Sequence, residues 1–121
     1  MQIRRVTSDE LVPGDPTPGM DRKEALVVGD LWSGLVHTHP GMTSGWHHHG
    51  DHDTIAYVVS GAFRLEAAPG GGGVIDGRPG DFVHIPAHVV HREGNPTDEV
   101  ATVVLVRRGS GPVVVNVADP A

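Results

Sequence analysis

An all-β barrel or sandwich is what this sequence predicts, and three observations carry the prediction. No window shows apolar residues at helical spacing for more than about three turns, the length of an average helix. Short runs rich in β-branched residues recur along the chain with turn signals between them. Seventeen glycines and ten prolines in 121 residues supply those turns.

Taken in order, a polar opening leads into LVPGDPTPG, Leu11 to Gly19, whose three prolines and two glycines forbid a helix or central strand and predict an arm or loop. Strands are expected at EALVVG from Glu24, at LWSGLVHTH from Leu31 and at TIAYVVSG from Thr54. AFRLEA, VID from Val74, DFVHIP, HVVHRE, EVATVVLVRR from Glu99 to Arg108, and PVVVNV from Pro112 follow. The Gly70 to Gly73 run opens no helix and has no lysine, so it reads as a hairpin loop and not a phosphate cradle. No internal repeat is present.

Composition narrows the chemistry. A chain of 121 residues is one domain, large enough to bury a core without staples. There is no cysteine, which excludes disulfides and thiolate ligands, so any metal must be held by nitrogen and oxygen. A formal charge of −6 and a pI near 5.8 argue against a nucleic-acid footprint. No apolar run is long enough to span a membrane, and MQIRRVTSDELVPG lacks the apolar stretch of a signal peptide. A cytoplasmic protein that binds neither nucleic acid nor membrane is the expectation.

The chemistry-bearing stretch is GMTSGWHHHGDHDTIAYVVSG, Gly41 to Gly61, in which four histidines and two acids fall within the seven residues from His47 to Asp53. Neighbouring side chains of an extended segment point to opposite faces, so His47 and His49 share one side while His48 points away. Two imidazoles can therefore reach one ion at the rim of the following strand.

These residues carry a family resemblance. The cupin superfamily is marked by G-x5-H-x-H-x4-E-x6-G and G-x5-P-x-G-x2-H-x3-N. Gly41, His47, His49 and Gly61 match the first, and Gly80, Pro86, His91 and Asn95 match the second. The resemblance runs from about Leu31 to Arg107. It implies a jelly-roll barrel with a divalent metal bound inside by histidines of both motifs, His91 joining His47 and His49. Residues 31–107 are then the barrel core, 1–30 an arm with a first strand, and 108–121 a last strand with a tail.

Two positions depart from the motifs. Thr54 stands at the glutamate ligand and His88 at the second motif's inner glycine. Threonine is a poor neutral ligand, so three histidines completed by water are expected. Asp53, one position early, becomes the fourth ligand if the loop bulges, and His52 is the other candidate. His88 is read as a pocket residue, His84 as outward, and His37 and His39 as strand residues, either of which could carry protons into the cavity.

Three neutral imidazoles leave a divalent ion its full charge, which favours an anionic or chelating small metabolite. Thr54, Ala56 and Ser60 leave space for it, while Ile55, Tyr57 and Val59 project the other way as packing. Within the cupins such a site resembles those of thiol and diketone dioxygenases, which implies an oxygenase with iron first among Fe, Mn, Ni, Zn and Cu. A non-catalytic sensing module and a metal-dependent isomerase are the alternatives. Finally, Glu24 to Val28 and Pro112 to Val117 lie outside the motif core and need an edge to pair with, which predicts a homodimer.

Overall fold

The structure is a computed structural model that describes residues 1–14 and 17–120. Its elements are a 3-10 turn at Ser8–Glu10, then β1 (Val12–Pro13), β2 (Met20–Val28), β3 (Leu31–Thr38), β4 (His47–His48), β5 (Asp53–Ser60) and β6 (Phe63–Ala67). β7 (Val74–Gly77), β8 (Phe82–Ile85), β9 (His91–Gly94), β10 (Ala101–Arg108) and β11 (Val115–Asn116) complete the chain. The expected strands are all present, mostly shorter than the apolar runs that announced them.

Two antiparallel sheets face each other. One has the order β1-β2-β3-β10-β5-β8 and the other β11-β4-β9-β6-β7. Alternation decides what lies between them. In β5, Thr54, Ala56 and Val58 point inward while Ile55, Tyr57 and Val59 face solvent. In β10 the inward set is Ala101, Val103, Leu105 and Arg107. These close on Phe63, Leu65, Ile85 and Val36 to form the core. At roughly 1.5–3 kcal/mol for each large apolar side chain buried, this core is the main stabilising term. The outward residues of β5 were expected to be packing, and they are exposed instead. Tyr57 meets the ring of Phe82 at 4.8 Å.

Both terminal segments pair within the chain. β2 lies along β3 with Met20 opposite Thr38, and β11 lies along β4 with Val115 opposite His48. The reason for expecting a homodimer, that these strands would otherwise be left over, is thereby removed. Within the expected arm, Val12 and Pro13 pair with Glu24 and Lys23, Pro13 being tolerated because β1 is a sheet edge. Asp15 and Pro16, also part of that arm, lie outside the described residues.

The motif glycines and the motif asparagine hold turns. At Gly61 (φ +76°) an added Cβ would sit 2.8 Å from the Cα of Ala101, so conformation and space both require glycine. The buried Asn95 side chain donates to the carbonyls of Thr38 and Glu99 and accepts from the backbone of Thr97, which ties the loop after β9 to the end of β3.

Candidate metal centre

β4 and β9 lie side by side, with His47 directly opposite His91. His49 follows two positions after His47 on the same side, and Glu93 follows two positions after His91. Their ligand atoms all lie within 4.8 Å of one another, and all four residues are buried. Glu93 Oε1 is 3.1 Å from His91 Nε2, 3.5 Å from His47 Nε2 and 3.9 Å from His49 Nε2.

The backbone fixes which nitrogen each ring presents. His47 Nδ1 faces the carbonyl of Gly45 at 3.0 Å, His49 Nδ1 that of Val113 at 2.8 Å and His91 Nδ1 that of Val89 at 2.9 Å. A carbonyl can only accept, so Nδ1 carries the proton in each ring, and a neutral ring turns its Nε2 lone pair inward. Burial, opposed by the nearby Glu93 carboxylate, lowers His49 to about 4, so its ring is neutral at neutral pH. Burial pushes the Glu93 carboxyl up, but the three facing imidazoles and the charge of Arg22 outweigh it and hold Glu93 well below the ordinary carboxylate value. Lone pairs thus face a carboxylate. His49 Nε2 and Glu93 Oε2 are buried without a hydrogen-bond partner. Arg22 Nη2 meets His47 Nε2 at 3.3 Å, and the buried acceptors left over on His49 and Glu93 leave room for a further cation; three imidazoles with one carboxylate suit a divalent transition metal. The residues fit the group.

The structure corrects the fourth position. Asp53 points away from the barrel, with its side chain 65% exposed, and accepts from the Ala87 amide while pairing with His84. The bulge that would turn it inward is absent, because Asp53 and Thr54 alternate as ordinary strand residues. Asp53 is therefore not in the cluster. His52 is buried, but its Nδ1 bonds the His49 carbonyl and it stands apart from the four. The carboxylate comes instead from Glu93, which the sequence reading missed.

Other histidines fall outside the barrel. His84 is outward, as expected. His37 bonds Thr102 on the outer face of its sheet, and exposed His39 pairs with Asp21, so neither faces the cavity. His88, expected in the pocket, is an exposed rim residue paired with Asp51 at 2.8 Å. It adopts φ +63°, keeping the left-handed backbone of the glycine it replaces.

A deep wall borders the cluster. Arg107 Nε donates to Thr54 Oγ1 at 3.1 Å, and Arg22 Nη2 lies 3.3 Å from His47 Nε2. A cavity of about 210 Å³ is lined by both arginines with Glu24, Trp32 and Val113. An apolar cleft of about 40 Å³ touches His91 from the other side. That is room for little more than one water.

Solved structures share this architecture. KdgF from Halomonas sp. is 28% identical, covering 90% of this chain and 96% of that chain with a TM-score of 0.71. A sugar phosphate isomerase of the cupin superfamily from Silicibacter pomeroyi is 27% identical, covering 76% of this chain and 60% of that chain with a TM-score of 0.63. The polyketide cyclase RemF from Streptomyces resistomycificus has a TM-score of 0.78 at 18% identity, with 98% and 90% covered, a likeness of fold alone. No curated protein matches the chain in sequence. The Cupin domain model matches residues 34–107, the span that holds both histidine motifs and all four residues of the cluster, and the chain belongs to the cupin family.

Proposed function

We propose that the protein is a mononuclear metal-dependent enzyme that acts on a small oxygen-rich metabolite without consuming oxygen. One observation carries the reading: three histidines and a glutamate, all buried, hold their ligand atoms within 4.8 Å of one another. Bound there, a divalent ion would supply Lewis-acid polarisation of a ligand oxygen.

The chain's own residues set the terms. The three carbonyls hold the imidazoles in the ligating tautomer, which lowers the reorganisation that binding requires. Ser44 fixes Glu93 from behind, its Oγ accepting from the Glu93 amide while the Ser44 amide donates to the Glu93 carbonyl. Burial excludes bulk water and strengthens every charge interaction within the site. Glu93 also lowers the net charge of a loaded site by one, compared with three neutral imidazoles. The oxygenase expectation was tied to that three-histidine centre and loses its particular support. The isomerase alternative gains from the likeness to the sugar phosphate isomerase at 27% identity.

Elemental analysis of purified protein, Glu93→Gln, His49→Ala and Asp53→Asn is the first test. We expect about one divalent ion per chain, Fe, Mn, Ni, Zn or Cu, with affinity lowered more than about 100-fold in the first two variants and unchanged in Asp53→Asn. Full metal retention in both Glu93→Gln and His49→Ala would sink the assignment. An oxygen electrode run over hydroxy-carbonyl compounds and diketones separates the chemistries, since oxygen uptake coupled to turnover restores the oxygenase. Tight binding of one compound with no turnover favours the sensing module.

A further inference from the structure

We propose that residues 112–117 form a strap, hinged at Ser110 and Gly111, that gates the buried cluster, and that an ion or small ligand enters where Val113 swings away from His49. What passes the gate rests on the metal-centre reading; the motion of the strap does not.

A site with no exposed face needs an entrance. His47, His49, His91 and Glu93 are 0–2% exposed, so solvent does not touch them while the walls stand as they are. The cavity of about 210 Å³ adjoins the cluster at Val113, and its walls are of unequal strength. Glu24, Trp32 and Arg107 come from β2, β3 and β10, strands of eight or nine residues paired with long neighbours, and moving any of them would tear a ladder. Val113 and Val114 come from the stretch leading into β11, a strand of two residues. The wall with the shortest ladder is the one that opens most readily.

The strap has the parts of a hinged segment. Gly109 anchors its root: the amide donates to the Asp30 carbonyl at 3.1 Å, and a Cβ there would come within 2.6 Å of the Asp51 carbonyl oxygen. Ser110 and Gly111 beyond it are exposed, and a Cβ added to Gly111, at φ +80°, would meet nothing within 4 Å. Glycine moves between positive and negative φ at little steric cost, so the chain can pivot there. On the far side Val115 lies opposite His48 and Asn116 opposite His47, and the Val117 amide donates to the Trp46 carbonyl at 2.9 Å. Asp119 makes a further interaction in the tail. Releasing the strap therefore gives up a short ladder and a half-buried valine, while the long strands stay paired.

Opening and ligation are linked through one atom. The Val113 carbonyl accepts from His49 Nδ1 at 2.8 Å, and Val113 also lines the cavity. Swinging the strap out removes the acceptor that fixes the His49 ring and joins the cavity to the cluster in one movement. Closing it sets the ring again behind whatever has entered. The competing route, the apolar cleft beside His91, is a poorer door, because opening it parts Leu65 from Ile85 and both belong to the core.

The chain has no cysteine, so one engineered disulfide can lock the strap. Val115 and His48 are Cα partners of an antiparallel pair, within the span a disulfide bridges, and neither belongs to the cluster. Zinc release from the loaded His48→Cys/Val115→Cys variant into excess chelator should be at least about tenfold slower oxidised than reduced with a phosphine, as for a closed lid. Neither single variant should show a redox effect. Amide exchange reads the motion itself: in the parent, Val117 should exchange at least about 100-fold faster than Val103 and Leu105 of β10, and oxidation of the double variant should slow it. Truncation after Gly111 carries the test if the disulfide does not form. It should speed zinc uptake as well as release, whereas loss of the orienting carbonyl alone would speed release only. Equal release oxidised and reduced, a Val117 amide protected as well as those of β10, or uptake unchanged by truncation would overturn the gate. Slower Val117 exchange in an oxidised variant that takes up no zinc supports the strap and removes only the metal reading.

Discussion

His88 shows how a single residue can depart from a motif while the backbone does not. At φ +63° it keeps the left-handed turn of a glycine position, which costs a non-glycine residue about 1–2 kcal/mol. Its exposed contact with Asp51 returns little of that. We expect His88→Val to destabilise by a further 1 kcal/mol or more, because a β-branched residue tolerates this region least. His88→Gly should lie within about 1 kcal/mol of the parent, relief of strain offsetting added freedom in the unfolded chain. Denaturant melts of the two variants decide it, and equal stabilities would show the strain to be negligible. The same scale explains what the sequence disclosed of the site. Alternation put His47 and His49 on one side, and the motif supplied His91. Alternation equally puts Glu93 beside His91, two positions along one strand. The motif's own glutamate slot at Thr54 drew the search to its neighbours Asp53 and His52, and so away from β9.

Elements were legible where apolar alternation is long and obscure where pairing is tertiary. β5 and β10 are eight-residue strands that betray their inward faces by period two. β4 and β11 have two residues each and exist only because each lies beside a partner. Nothing local to Val115 says that it pairs with His48. That pairing matters to the centre, because the segment leading into β11 brings the Val113 carbonyl to His49 Nδ1. We therefore expect truncation after Gly111 to lower metal affinity by about 10–100-fold, the usual effect of losing a group that orients a ligand. Far-ultraviolet circular dichroism should show the barrel retained. Unchanged affinity in the folded truncation would mean that the carbonyl does not orient His49.

For the whole molecule, the centre ties folding to pH through His49. Its folded value, about 4, lies below the ordinary 6.5 because burial disfavours the charged ring. Between those values the unfolded chain binds a proton that the folded chain refuses, so stability rises with pH across that window. The contribution is fully present above 6.5 and is lost as pH falls toward 4. For this residue alone, lowering the pH from 7 to 5 removes about 2 kcal/mol. Glu93 adds to the trend at lower pH: its carboxyl is held below the ordinary value, so the stability it lends also disappears as acid protonates it. Urea melts of chelator-treated protein at pH 7 and pH 5 should show the drop. The metal-loaded protein should be more stable than the chelated one at pH 7, and the gap between them should shrink at pH 5, because protons and metal compete for the same Nε2 lone pairs. A gap that does not change with pH would mean that the metal is not held through imidazole nitrogen. Stability of the chelated protein that is flat from pH 7 to pH 5 would remove His49 as the linked group.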